Sequence, residues 1–349
     1  MQPRSLAILG AILGAILGIR DRWASPRLAL GVALGALLAW GAVAAAEDGA
    51  LPEPLELTQA LAFAEAHPRL VAGQPSPQPR RLPLYLACHD LAFGASAPGD
   101  DLRNRPLETL IDPVDAQRLE ILVRFLDVVL ADLSFSRYSE AMAVAYIQLD
   151  RASTRRELGQ VSELRVAELD ATYQDVRQRR AASEAAQRLS RSLLAQALDR
   201  PDTLPRELVA PQAPVLPDPM PGLPDVVVAA EAGNRTLATL KAAADPHQAR
   251  LLDHELRQQA LELLLRLQAL AVSVDSSQAE TVLRDLKLEQ SRVLYEQEAV
   301  ADLGYSMSQQ TKARLDEQRV AYCRALAWAE LQALQGRPVW PVNEKGVTP

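Results

Sequence analysis

Two short stretches decide how this chain is read: Glu157-Leu158-Gly159-Gln160-Val161-Ser162 and Asp302-Leu303-Gly304-Tyr305-Ser306-Met307-Ser308. Each places an acid, a Leu and a Gly ahead of a Ser, and each interrupts a long run that contains neither Gly nor Pro. Residues 114–158 form one such run. At about 1.5 Å per residue it would make a helix of roughly 68 Å. Residues 160–200 form the next, and residues 247–303 and 305–335 repeat the arrangement. A glycine between two such runs supplies the left-handed conformation of a helical turn without a Cβ penalty. The pattern predicts two long antiparallel helical hairpins, with Gly159 and Gly304 at or near their tips.

Composition agrees. Hydrophobic residues make up 48% of the chain and aromatics only 4%, with Ala and Leu supplying most of the apolar content. Ala, Leu, Glu, Arg and Gln lose little side-chain entropy in a helix, so the fold class is all-α. The formal net charge is -7, and there is no basic stripe interleaved with stacking aromatics, so nucleic acid is not an expected partner.

Residues 1–46 read as a leader. Apolar runs at 5–19 and Leu28–Trp40 are separated by Arg20, Arg22 and Arg27, and small residues end the segment at Ala46 before Glu47. A positive region, an apolar core and a small-residue site form a secretory signal, with cleavage expected between Ala46 and Glu47. A two-helix anchor is the other reading, but both runs are shorter than the ~20 residues of a membrane span. Export would place Cys88 and Cys323 in an oxidising compartment; their spacing leaves open whether they pair.

The mature chain divides further. Residues 47–113 hold a short helix over Leu57–Pro68, with Thr58 or a neighbour as cap, and then a proline-rich connector in which Leu82–Phe93 could form one strand. Asp112-Pro113 opens the first hairpin repeat, residues 114–200, since Pro is favoured in a first helical turn. Eight prolines in residues 201–224 mark a linker. The second repeat, 225–336, starts with a short helix over Asp225–Ala244. Its long helix has a weak point at Val272–Ser277 and a coiled-coil seam at Leu286, Val293 and Val300, with Leu283 and Leu303 alongside. Residues 337–349 are a loose tail.

No catalytic residue, metal ligand set or cofactor is expected. His247 and His254 lie two helical turns apart, roughly 10 Å, too far for one metal without a third ligand between them. Cys88-His89-Asp90 are sequence neighbours that rarely face one another, and no oxyanion-hole glycine motif accompanies them. Arg177, Arg179 and Arg180 read as a solvated helix face.

Four of these stretches resemble the TolC family of bacterial outer-membrane efflux proteins. Leu57–Leu70, ending His67-Pro68-Arg69-Leu70, is similar to the family's opening helix. Ala143–Leu198, turning at Leu158-Gly159-Gln160-Val161-Ser162, resembles its first tip hairpin. Val226–Leu240, with Ala232-Gly233-Asn234-Arg235 inside it, looks like the start of the second repeat, and Glu298–Leu334 looks like the closing hairpin. The resemblance implies a homotrimer whose helices form a periplasmic tunnel in an efflux or type I secretion system. It implies hairpin tips that face a periplasmic adaptor and an inner-membrane pump. Those tip residues would be Leu158, Gly159, Val161 and Ser162, with Leu303, Gly304, Tyr305 and Ser306 in the second repeat. The alternative is a non-conducting periplasmic coiled-coil scaffold that binds adaptors.

One departure stands out. Family members insert strand pairs that close a membrane barrel, and a barrel strand needs ~9–11 residues of alternating character. Residues 72–113 are broken by prolines, and Leu261–Ala271 reads as helix. The expectation is a TolC-like chain with little or no β-barrel.

Overall fold

The computed structural model describes residues 51–71, 82–94, 110–200, 206–296 and 303–341. All of them belong to the unit Glu47–Pro349. The expected leader and its cleavage site at Ala46 and Glu47 lie outside the described residues.

Among the described residues the elements are all helical: α1 (Leu57–Ala62), α2 (Pro68–Val71), α3 (Cys88–Phe93), α4 (Pro113–Glu157), α5 (Glu163–Ala197), α6 (Leu223–Gly233), α7 (Arg235–Ala243), α8 (Pro246–Glu296) and α9 (Leu303–Leu334). The all-α class holds. There is no strand among these residues, only one isolated parallel bridge between Leu55 and Leu208.

The helix starts follow from their caps. The Asp112 carboxylate accepts from the Val114 amide at 2.9 Å, one residue after the proline that opens α4. The Asp245 side chain accepts from the amides of His247 and Gln248 ahead of α8. Helix α6 begins at Leu223, two residues ahead of the expected start at Asp225, and so inside the proline-rich stretch.

Three pairings build the long-helix layer. Between α4 and α5, Asp132 takes Arg191 at 2.6 Å, and Tyr146 meets Tyr173 with ring centroids 6.0 Å apart. Between α8 and α9, Ser291 meets Ser306, Thr281 meets Glu317, and Arg266 meets Glu330. Between α4 and α9, Thr311 donates to Glu140 at 2.8 Å. Positions rise on one helix as they fall on its partner, so neighbouring helices run antiparallel. The order across the layer is α5, α4, α9, α8, and α5 and α8 each pack along only one long neighbour.

The core sits at one end of this layer. On α4 it runs from Ala116 to Ser134; beyond that only Ala145 and Ala152 are buried. On α8 it runs from Leu256 to Leu270, followed by Leu288 alone. Here, at the base, short elements supply the covering that the rest of the layer lacks. Asn234 splits α6 from α7, so the single helix expected over Asp225–Ala244 is two. Its buried side chain donates to the carbonyls of Leu110 and Leu334 and accepts from the Leu237 amide. It thereby ties the start of α4, the end of α9 and the cap of α7 to one amide group. Gly233 and Gly336 let two backbones meet beside it: a Cβ on Gly336 would lie 2.3 Å from the Gly233 carbonyl oxygen.

The segment 82–94 is where sequence expectation and structure part. Residues 88–93 form helix α3, not a strand, and the segment lies on α8 and α9. Two anchors hold it. The fully buried Asp127 carboxylate accepts from the amides of Leu84 and Tyr85 at 2.9 and 2.7 Å. Burial pushes that carboxyl above its ordinary range, while the backbone donors pull it back. The second anchor is a disulfide between Cys88 and Cys323, which joins positions 235 apart in sequence. The proline-rich linker is pinned as well, at residues 207–211. Leu55 exchanges backbone hydrogen bonds with residues 207 and 209, and the buried Tyr322 hydroxyl donates to the Pro211 carbonyl. Burial raises the Tyr322 phenol to about 12.

Replacing both cysteines, Cys88→Ala with Cys323→Ala, is expected to cost about 2–5 kcal/mol in denaturant unfolding, because a long loop is no longer closed in the unfolded chain. Reduced wild type should unfold at the same midpoint as the double variant. An unchanged midpoint would show that the Asp127 clamp alone holds the segment.

Candidate functional site: the hairpin end and the outer edge of the layer

The first expected tip is a turn built as its sequence reads. Gly159 lies at φ +70°, and two bonds close the end of α4 around it: Gly159 N–H to the Arg156 carbonyl and Gln160 N–H to the Arg155 carbonyl, both 2.9 Å. This double closure is the Schellman arrangement, which needs a left-handed residue at the glycine position. Ser162 then caps α5, its hydroxyl accepting from the Arg165 amide at 3.2 Å. Leu158 stands 67% exposed and Leu164 70% exposed at this end. Val161 is partly covered.

The second expected tip is different in detail: α8 ends at Glu296 and α9 starts at Leu303, so the break falls just ahead of Gly304. Leu303 and Gly304 are the first two residues of α9, and Gly304 has no left-handed backbone. Its role is close packing. A Cβ there would lie 2.8 Å from Val144 Cγ1, so the missing side chain is what lets α9 approach α4. Ser306 is engaged with Ser291 at 2.7 Å, in the body of the hairpin, while Tyr305 is 56% exposed. The connection at residues 297–302 lies outside the described residues.

The two quartets are therefore not equivalent and not side by side. Gly304 sits beside Val144, and α4 continues from Val144 to Glu157, about 20 Å further along the axis. The Tyr146–Tyr173 ring pair braces α4 to α5 within that projecting part. Tyr146 and Ile147, both exposed, were not singled out by the sequence reading. Nothing short of the α4/α9 register could have marked them.

The outer edge carries a second feature. Of the expected seam, Leu286 and Val293 are exposed among the described residues, and Val300 lies outside them. The two belong to a longer stripe on α8, with Leu251, Leu265, Val272, Leu286 and Val293 all exposed at multiples of seven residues, and Gln258 and Ala279 at the two remaining positions. Val272 and Leu286 are exposed by 68% and 65%. Helix α8 runs unbroken through the expected weak point at Val272–Ser277. A seven-residue apolar repeat is the pattern by which one long helix seats against another. Among the described residues, no group of three or more His, Cys, Asp or Glu is placed to hold a metal ion, and no helix is long and apolar enough to cross a membrane.

No protein-family model matches the chain, and no curated protein matches it in sequence. Solved structures match it at low identity. CusC, described for conformational changes in folding and transmembrane channel formation, is 12% identical; the match covers 82% of this chain and 92% of that one, with a TM-score of 0.46. The open state of the Neisseria gonorrhoeae MtrE outer membrane channel is 14% identical, over 65% and 68% of the two chains, with a TM-score of 0.42. A membrane protein from Pseudomonas aeruginosa is 15% identical, over 64% and 70%, with a TM-score of 0.38.

The two glycines should respond differently to substitution. Gly159→Leu is expected to cost about 1–2 kcal/mol through backbone strain that no second mutation at a neighbouring side chain relieves. Gly304→Ala should cost about 1–3 kcal/mol through overpacking, and Val144→Ala in the same chain should recover most of it. Denaturant unfolding of the three variants decides this. A Gly304→Ala variant that Val144→Ala does not rescue would remove the close-packing role.

Proposed function

We propose that this chain is a TolC-like component of a tripartite efflux or type I secretion system. Copies of it, three by the family resemblance, associate edge to edge into a helical tunnel on the periplasmic side of the outer membrane. The projecting first hairpin, ending at Leu158, Gly159, Val161 and Ser162, meets a periplasmic adaptor that couples it to an inner-membrane pump. Leu303, Gly304, Tyr305 and Ser306 form the adjoining shoulder. The chain acts by contact and by lining a conduit, not by covalent chemistry.

The observation that carries this reading is the exposed stripe on α8. A helix of 51 residues with exposed Leu and Val at heptad spacing has one face that its own protomer leaves uncovered. Among the described residues the layer is one helix thick away from the base, a geometry that suits cover by another chain. Helix α5 forms the opposite edge, and edges that differ in this way join head to tail and close into a ring when the rotation permits. The Cys88–Cys323 disulfide fits an oxidising compartment outside the cytoplasm.

Native mass spectrometry of the mature chain tests the reading. Wild type is expected to run as a trimer. Val272→Asp combined with Leu286→Asp should run as a monomer with unchanged helicity, since both positions already face water in the protomer. A wild-type monomer that still binds an adaptor would favour the non-conducting scaffold. A double variant as oligomeric as wild type would take the stripe out of the account.

A further inference from the structure

His67 lies in the turn between α1 and α2 and is buried, 6% exposed, against the end of α5. Its Nδ1 accepts the Arg69 backbone N–H at 3.3 Å. The ring also donates to the backbone carbonyl of Gln196. A ring nitrogen that accepts an N–H carries no proton, so this geometry belongs to the neutral imidazole and to one tautomer of it. The ring therefore does two jobs at once: it caps the short helix α2 and fastens α1–α2 to the end of α5.

We propose that His67 is a pH-sensitive latch, closed at neutral pH, that releases residues 64–71 from the base of the first hairpin on acidification. Protonated imidazole has two donors and no acceptor, so the Arg69 N–H would then face another N–H in a buried site. The surrounding charges are few. Arg69 on α2 opposes a second positive charge, and Asp199 beyond α5 favours one. Glu65 is already engaged by Arg118 of α4 at 2.6 Å, and Arg118 also holds Asp115. The Arg200 guanidinium lies 5.7 Å from the centre of the Phe63 ring. Burial is the largest influence and holds the imidazole below its ordinary value of 6.5.

The sign follows from that direction. A depressed imidazole contributes stability that is full above the unfolded-state value and is lost as pH falls through the lower folded value. The remaining attachments of this segment do not use imidazole. Leu55 stays paired with residues 207 and 209 of the linker, so the opening is local to the turn rather than a loss of the fold.

Hydrogen exchange on the full mature chain, corrected for the intrinsic pH dependence of exchange, reads the latch at the amides of Ala64–Leu70. Between about pH 7.5 and about pH 5, wild type is expected to lose protection there, with α4 and α9 unchanged. His67→Asn keeps a side-chain oxygen able to accept from the Arg69 N–H and does not titrate, so its protection should be the same at both pH values. His67→Gln serves as the second non-titrating variant. No loss in wild type, or an equal loss in wild type and in either folded variant, overturns the proposal.

Discussion

A layer of helices one helix thick cannot bury both of its faces, and this constraint governs the protein. A long helix in such a layer touches a neighbour on one or two sides only. Where short elements cover it, at the base, α4 buries residues from Ala116 to Ser134. Where nothing covers it, burial shrinks to small residues such as Ala145 and Ala152 that sit between paired helices. The side chains left over are the exposed Leu and Val of α8 and the apolar turn at Leu158. Both features thus have a single cause: among the described residues the core is confined to the base, and the thin part of the layer has no second helical layer to bury its apolar side chains.

The base works because several weak elements are tied to the same strong ones. Asn234 gives one buried side chain three backbone partners, one in the turn ahead of α4, one at the end of α9 and one in α7. Gly233 and Gly336 bring the α6–α7 junction and the end of α9 into backbone contact. Asp127 and the disulfide fix segment 82–94 on the same helices, and Arg266 bridges Glu262 and Glu330 between α8 and α9. Burial pushes the Glu330 carboxyl up and Arg266 holds it down. A rigid base of this kind lets a thin hairpin project about 20 Å beyond the α9 start without further support.

Much of this was legible in the residues, and the failures have physical reasons. Asp112-Pro113 and Gly159-to-Ser162 read correctly because caps and left-handed turns are local: the needed groups lie within a few positions of one another. Gly304 marked the neighbourhood of the break but not its own role, because glycine serves either a left-handed turn or a close approach between helices, and the second depends on Val144, which is remote in sequence. Segment 82–94 misled because a short apolar run with a proline fits either strand or helix, and Asp127 and Cys323 settle it from far away. The seam at Leu286 and Val293 was visible as a heptad, yet periodicity gives the face and not the partner. Only the packing of α8 against α9 shows that this face points away from the protomer.

The most direct measurement is an electron-microscopy reconstruction of the purified protein. The account predicts a closed three-fold ring in which α8 of one copy lies along α5 of the next, burying Leu251, Val272 and Leu286 around a central opening. Isolated copies with the α8 stripe in solvent, or a dimer that buries the stripe face to face with no opening, would contradict it.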